Sequence, residues 1–589
     1  MNYLLTFQLG PVQDFIAAAK TTRDLWSGSY MLSYLMASTI CAAKDLKVEI
    51  IFPSADSSTL KILELAAGGS IEKGDADNDG YLLPTLPNKL LMKLNCESLG
   101  EVEKIAASLE QASRKTLVEI GRSVEDKFAR AIDTGRFDAQ LSSFLEIYWA
   151  AVEIEGGDIS KAYRKLNKIA GGAKNLRFFS ARNRSWSSGK VREAGGAFQR
   201  NEKDFLSGKD ESVIVSRQDF HDLDSRTKVL IRENESLGAI NLIKRLWHLT
   251  YLQGIKGLPA KWFAMPCTYD IARGKSGVDS SEMEFVSMPY GYEGFASSGQ
   301  FAGEGDPSDK YYAVLAFDGD KIGKWVSGEM LRERDGAFAL DEAYLGKFSD
   351  KLNQFTRKAK EIVASHRGKL IYAGGDDVLA LLPSESSIKC ARALNREFGK
   401  LKIKDVAFES SCGIAVGHVK IPLQDIVKQA QLSEKDAKNV YGRNALSVHI
   451  LKRSGEIVKW GSRFDKAQNF ELLDTLIFRN GDSRAGGDIS EKFLYDFIKI
   501  LYRYVSNGTR CAPILNASEK TMVLESELES TMESKPIPKD VKEKLRKALA
   551  GVICDLQSPS GDCAKNSDIE TLISLFQVAA WTEPELQQK

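Results

Sequence analysis

The sequence is poor in the residues that build disulfide and zinc frameworks. Its eight cysteines (Cys41, Cys96, Cys267, Cys390, Cys412, Cys511, Cys554, Cys563) are dispersed, with no Cys-x-x-Cys pair. That pattern excludes a disulfide scaffold, argues against zinc, and points to reduced structural thiols in a cytoplasmic protein. Histidine is scarcer: there are five (His221, His248, His366, His418, His449), and the one His-Asp pair, His221-Asp222, stands alone in a polar stretch. No apolar run approaches the ~18 residues a membrane helix needs, so no membrane association is expected. The N-terminus lacks a signal-peptide pattern, because Gly10-Pro11 and Gln13-Asp14 interrupt its apolar stretch. A surplus of charge is missing too. With 81 basic and 80 acidic residues the net charge is +1, so any nucleic-acid binding falls to local patches.

A hydrophobic fraction of 43% and a charged fraction of 27% over 589 residues are ordinary for a globular chain with several cores. At about 150 residues per domain, about four domains are expected.

The most informative stretch is Lys369-Leu-Ile-Tyr-Ala-Gly-Gly-Asp-Asp-Val-Leu-Ala-Leu-Leu382. Two short apolar runs flank Gly374-Gly375-Asp376-Asp377 and read as a buried hairpin whose glycines supply the turn. The turn lifts two adjacent carboxylates to the tip of a rigid element, where their repulsion favours a cation. Oxygen-only ligands with open positions suit Mg²⁺ or Mn²⁺. A solvated turn that binds nothing is the alternative for this motif alone.

Upstream, Tyr311-Tyr-Ala-Val-Leu-Ala-Phe-Asp-Gly-Asp-Lys-Ile-Gly-Lys-Trp325 reads as an apolar strand ending in Asp318, with Asp320 two residues on. A carboxylate at one strand end and a pair on a neighbouring hairpin form the donor set of a two-metal clamp for in-line phosphoryl transfer. Asp318, Asp376 and Asp377 are therefore the candidate metal ligands and catalytic residues. Backbone amides around Gly319 and Gly323, with Gly374 and Gly375, are candidates to cradle phosphates, with Asp320 beside them and Lys321 and Lys324 as point charges. A helix from about Leu423 delivers Lys438 as a candidate triphosphate ligand, the alternative being a solvated helix end. Arg443 reads as a solvated helix end, where a cation is favourable in any case.

Asp318, the Gly374–Asp377 turn and Ala437-Lys438…Gly442-Arg443-Asn444 resemble the palm of GGDEF-type nucleotide cyclases. They are closer to the large cyclase-polymerase subunit of type III-B (Cmr) CRISPR–Cas complexes, whose palm carries Gly-Gly-Asp-Asp and whose N-terminal half holds a second, divergent palm. Phe7-Gln-Leu-Gly-Pro-Val-Gln-Asp-Phe-Ile16 and Thr22-Arg-Asp-Leu-Trp-Ser-Gly-Ser-Tyr30 look like that family's opening. The resemblance runs to roughly Leu451. It implies an ATP-using nucleotidyltransferase of antiviral defence that makes a second messenger, cyclic oligoadenylate or an AMP conjugate of another acceptor such as S-adenosylmethionine. It also implies partners: the other complex subunits, a guide RNA and a target RNA that activates the enzyme. A nucleotide-binding scaffold without turnover is the competing reading. Many relatives carry an HD nuclease before the first palm; here the palm begins at Met1, so no HD-type activity is expected. The family's zinc-binding cysteines are also without a match.

The expected fold is α+β: two ferredoxin-like βαββαβ palms with helical linker and C-terminal domains. The expected boundaries are 1–194 for the divergent palm, 195–309 for the linker, 310–457 for the Gly-Gly-Asp-Asp palm and 458–589 for the tail. In the first palm, strands are expected at Tyr3–Leu9, Val48–Phe52 and Leu90–Leu94, and helices at Glu101–Ile132 and Ala139–Val152. Gln13, Arg23, Ser27 and Ser29 are its candidate ligand contacts, since the resemblance implies that this half closes over bound nucleotide. Capping and surface pairing explain Arg23 and the serines equally well. Lys161–Arg200, with Lys174, Arg177, Arg182, Arg184, Lys190, Arg192 and Arg200 among Phe178, Phe179, Trp186 and Phe198, reads either as an RNA- or subunit-contacting segment or as a solvated basic surface.

Overall fold

A computed structural model describes residues 1–54, 57–68, 79–175, 202–223, 230–231, 235–263, 265–274, 311–334, 336, 340–477, 491–505, 517–535, 537–556 and 568–581. The segment 176–201, with its run of cations and aromatics, lies outside the described residues, as do 275–310, 478–490 and the His221 side chain.

The first sheet joins β1 (Asn2–Gly10), β2 (Glu49–Phe52), β3 (Lys89–Asn95) and β4 (Glu146–Glu153) in the order β2-β3-β1-β4. All its pairings are antiparallel. Helices α1 (Gln13–Ala17) and α2 (Thr22–Asp45) lie between β1 and β2, and α3 (Ser57–Ala66) follows β2; α4 (Leu99–Phe128) and α5 (Thr134–Phe144) lie between β3 and β4. This is the ferredoxin-like βαββαβ arrangement. Helix α6 (Ile159–Asn175) covers the far face, joining Ile159, Ala162, Tyr163 and Leu166 to Leu4, Ala150 and Val152. The linker helix α7 (Ala239–Trp247) is buried along its whole length and packs into the core of the first half.

The second sheet is built from β5 (Tyr311–Gly319), α8 (Glu342–Ser365), β6 (Lys369–Gly374), β7 (Asp377–Pro383), α9 (Ser384–Gly399), the ribbon β8 (Lys402–Ile403) and β9 (Val406–Ala407), β10 (Ser410–His418), α10 (Leu423–Asn439), β11 (Ala445–Leu451) and β12 (Ile457–Arg463). The strand order is β12-β11-β10-β5-β7-β6, and the ribbon forms a separate two-stranded unit. The β10-β5-β7-β6 part repeats the order of the first sheet; α10 then carries the chain to β11, parallel to β10. The α+β class with two ferredoxin-like palms is thus realised.

Strand β5 is central and buried on both faces, which is why it reads as a continuous apolar run. Tyr311, Ala313, Leu315 and Phe317 meet the stripe Tyr344, Leu345, Phe348, Leu352, Phe355, Ala359 and Val363 of α8, recurring every three to four residues. Tyr312, Val314 and Ala316 face the other way, into the core that also contains Trp26, Tyr30 and Trp247. The halves share that core, so they are not independent lobes. Polar contacts reinforce it: Ser54 N donates to Ser349 Oγ at 2.7 Å, Asn353 Nδ2 to the Ser54 carbonyl at 2.9 Å, and Ala373 N to the Pro84 carbonyl at 3.2 Å.

The tail helices α11 (Ala467–Ile477), α12 (Glu491–Leu501), α13 (Ala517–Glu533), α14 (Lys539–Leu556) and α15 (Asp568–Trp581) continue the core beneath the second sheet. No helix among the described residues is long and apolar enough to cross a membrane.

Two local expectations need correction. The segment Ala139–Val152 is not one helix: α5 ends at Phe144 and Glu146–Glu153 forms β4, pairing along β1 from Tyr3↔Glu153 to Gly10↔Glu146. Ile147, Tyr148, Trp149 and Val152 favour a pleated, half-buried surface, and the long partner strand overrides the helical appearance of Ala150-Ala151. The second sheet also runs past residue 457 into β12, whose Val458 and Trp460 point inward between exposed Ile457 and Lys459. That is a two-residue alternation that the helical reading of the tail overlooked.

Candidate active site

The carboxylates come together where β5 ends beside the β6–β7 turn. Ligand oxygens of Asp318, Asp376 and Asp377 lie within 4.8 Å of one another, the one such group of three or more candidate metal ligands among the described residues. Glycines permit the approach. A Cβ on Gly319 would fall 2.7 Å from Ile322 Cδ1 and 3.0 Å from Asp376 Cβ, so the bare backbone lets the hairpin tip close on β5. Gly375 takes φ +77°, which other residues adopt only with strain. A side chain on Gly374 would overlap the Tyr372 hydroxyl, which lies across the turn.

The cluster is electrostatically strained. Desolvation, followed by repulsion from Asp377, raises Asp376 well above the usual carboxylate range. Desolvation lifts Asp377 to about 6, although its side chain still reaches solvent. Two adjacent carboxylates of this kind are relieved by a divalent cation, and three all-oxygen side chains fit a hard ion such as Mg²⁺ or Mn²⁺.

Helix α10 brings the cation of the site. The Lys438 ammonium pairs with Asp318 Oδ2 and lies 2.6 Å from Glu434 Oε1, one turn back on the same helix. Burial and the nearby Arg443 hold Lys438 down to about 8; burial, then Asp377 and Asp320, push Glu434 up to about 7. Glu434 was not singled out from sequence: only the i,i+4 spacing to Lys438 hinted at it.

Asp320, expected beside the phosphates, is turned inward and buried. Ser411 Oγ donates to both its oxygens at 2.9 Å, and Asn444 N donates to Oδ2 at 2.8 Å. It therefore anchors the turn after α10, where Gly442, Arg443 and Asn444 all take positive φ. Lys321, at φ +57°, is exposed at the rim. Lys324 is engaged elsewhere, 2.7 Å from Glu333 and 3.2 Å from Glu329.

The candidates of the first half lie on α1 and α2. Gln13 is exposed at the start of α1, and Arg23 is buried in the first turn of α2. The Ser27 hydroxyl donates to the Lys244 carbonyl and accepts from Trp247 Nε1 at 2.6 Å; that of Ser29 donates to the Leu25 carbonyl at 3.2 Å. Both serines are core residues bonded within the chain. The neighbour that sequence reading passed over is Asp24. It caps α2 with Thr21 and receives a two-point bond from Arg245, at 3.2 Å to Oδ1 and 2.8 Å to Oδ2.

Two ferredoxin-like palms sharing a core, with a carboxylate trio on the second, define a double-palm protein. Residues 311–447 match the family described as Cas10/Cmr2, second palm domain, and residues 4–122 match CRISPR-associated protein Cmr2, N-terminal. The CRISPR system Cmr subunit Cmr2 of Pyrococcus furiosus (strain ATCC 43587 / DSM 3638 / JCM 8422 / Vc1) is 25% identical over 607 residues, covering 84% of this chain and 66% of that protein. The chain thus spans about two thirds of the length of that curated relative. In fold it is similar to a chain of the type III-B Cmr-beta complex in the apo state (TM-score 0.65, 14% identity, covering 99% of this chain and 82% of that one). The match to the same complex bound to cognate target RNA is equivalent (TM-score 0.66, 14% identity, covering 99% and 83%). The chain is thus similar to the Cas10/Cmr2 family over its second palm and its N-terminal segment.

Proposed function

We propose that this chain is the nucleotidyltransferase subunit of a type III CRISPR effector complex, joining ATP to a hydroxyl or other acceptor with release of pyrophosphate. The observation that supports this is the convergence of Asp318, Asp376 and Asp377 at the tip of the second palm. These three residues would hold divalent cations, Mg²⁺ or Mn²⁺, which would supply charge neutralisation at the transferring phosphoryl and a lowered pKa at the attacking hydroxyl. The acceptor oxygen forms a new bond to the α-phosphorus as the α–β bridging bond breaks; the hydroxyl proton passes to solvent. Lys438 provides a mobile point charge for the triphosphate, whereas the Asp320 amide is taken up by the Glu409 carbonyl at 2.8 Å.

The boundaries 1–194, 195–309, 310–457 and 458–589 belong to this proposal, with the second palm extended through β12 to Arg463, as do cytoplasmic location, partner subunits, guide RNA and activation by target RNA. The product is cyclic oligoadenylate, or an AMP conjugate if another acceptor such as S-adenosylmethionine is used.

A nucleotide-binding scaffold remains the second reading, and one observation favours it: the Lys438 ammonium sits on Asp318, where a metal would bind. Mass spectrometry of products from the assembled complex decides between them. With guide and target RNA, Mg²⁺ or Mn²⁺, and ATP with and without S-adenosylmethionine, a new adenylate product is expected that disappears in Asp376→Ala/Asp377→Ala. Bound nucleotide without product under every condition would establish the scaffold.

A further inference from the structure

The ammonium of Lys438 touches two carboxylates of different kinds. Asp318 belongs to the trio; Glu434 does not, and lies 2.6 Å from the same nitrogen. The three side chains are only partly exposed, at 22% for Lys438, 26% for Asp318 and 15% for Glu434, so each pairing is screened less than at an open surface.

The backbone beneath Lys438 is fixed. A Cβ on Gly413 of β10 would run into the Glu434 backbone and come 2.5 Å from the Ala430 carbonyl oxygen, so the helix lies directly on the sheet. The last turn of α10 is tied down by Asp436, whose Oδ2 takes 3.0 Å contacts from both His449 Nε2 on β11 and Lys459 Nζ on β12. Beyond it, Arg443 N donates to the Ala437 carbonyl at 3.1 Å, and Asn444 is held by Asp320. With the helix held in this way, a change of partner by Lys438 falls to rotation of its side chain.

We propose that Lys438 is the resident counter-ion of Asp318 in the metal-free protein, and that a divalent cation binding at Asp318 displaces its ammonium onto Glu434. Lysine and metal then exclude one another at a single carboxylate, and Glu434 is a positioning residue that keeps the displaced charge at the rim, ready for a triphosphate. The inference rests on reading the trio as metal ligands. It removes the objection raised by the occupied Asp318, since the ammonium has a second berth within reach.

The test is Mn²⁺ binding to the full chain without nucleotide, followed by the electron paramagnetic resonance signal of free Mn²⁺. Lys438→Met, with Lys438→Gln as a second variant should the first fold poorly, is expected to bind Mn²⁺ about fivefold more tightly, the scale of one partly buried ion pair. Glu434→Gln in the native background is expected to weaken binding by a similar factor, because the ammonium loses its berth. In the Lys438→Met background the same change is expected to have no effect. A general change of field predicts additive effects instead, and additivity would overturn the exchange. So would Lys438→Met and Lys438→Gln binding no more tightly than native protein while Asp376→Ala abolishes binding; in that case the metal reading stands and the exchange alone falls. No Mn²⁺ binding by the native chain or either lysine variant would overturn both.

Discussion

Gly413 lies directly beneath Glu434, close enough that a methyl group on the glycine would collide with the glutamate's backbone. This contact sets the height of α10 over the sheet and hence the reach of Lys438. Gly413→Ala is expected to cost about 1–3 kcal/mol through overpacking and to weaken ATP-analogue binding. Gly346, on α8, has nothing within 4 Å of its Cβ position; Gly346→Ala is expected to stabilise the chain by about 0.5–1 kcal/mol. Opposite shifts in unfolding midpoint check the pair; equal shifts would refute the role of the Gly413 contact.

Asp320 separates two roles that the spacing Asp318-x-Asp320 left merged. Its carboxylate is buried and bonded to Ser411 and Asn444, and burial raises its pKa even though those bonds pull the other way. Asp320→Asn is expected to cost about 1–3 kcal/mol, because an amide cannot accept on both of its heavy atoms. Its Mn²⁺ affinity is expected to stay near native, in contrast to Asp376→Ala. Calorimetric titration with Mn²⁺ decides; a loss as large as that of Asp376→Ala would return Asp320 to the ligand set.

Much of the site could be read from the chain because its parts are local. Tyr311–Phe317 is apolar enough to be nothing but a buried strand, and two glycines before two aspartates leave little besides a hairpin tip. What escaped reading depends on distant partners. Glu146–Glu153 became a strand only because β1 offered an edge along its whole length. Asp24 gained its role from Arg245, 221 residues away, and Glu434 from a glycine on a neighbouring strand. Ser27 and Ser29 sit in a motif tied by resemblance to ligand binding, yet their hydroxyls bond within α2 and to α7. Sequence spacing carries no information of that kind.

The joint between the halves offers a third test. Ser54 is bonded from three directions: its N–H to Ser349 Oγ, its carbonyl from Asn353 at 2.9 Å, and its hydroxyl to Asp350 Oδ1 at 2.7 Å. Asn353→Ala leaves the Ser54 carbonyl without that donor and is expected to cost about 1 kcal/mol. The loss should appear as faster amide hydrogen exchange around β2 and α8, with Mn²⁺ affinity retained. Exchange unchanged in both elements would show that the apolar core alone holds the halves together.

The buried ion network under α2 gives the clearest dependence on pH. Arg245 is 1% exposed and serves Asp24 at 2.8 Å and Glu235 at 2.6 Å; Lys20 adds a second cation to Glu235 at 2.7 Å. Burial alone would raise the pKa of Asp24, but the attraction and hydrogen bonds of Arg245 override it, and the folded value lies below the ordinary one. A carboxylate depressed in this way contributes stability that is fully present above its unfolded pKa of about 4 and is lost as pH falls through the lower folded value. Between pH 7 and 5 the native protein should therefore show no loss of stability from Asp24. Arg245→Met removes the largest of the groups that oppose burial, leaving only Lys244 and the Lys20 and Thr21 amides against it, at a cost of about 3–5 kcal/mol at pH 7. With the pKa of Asp24 now raised, the folded state binds the proton more tightly than the unfolded state, so the sign reverses and the variant should gain stability from pH 7 to pH 5. Urea denaturation of both proteins at the two pH values measures this directly. A variant that lost stability towards pH 5 would show that Asp24 finds another cation, and that Arg245 is not what fixes α2 to α7.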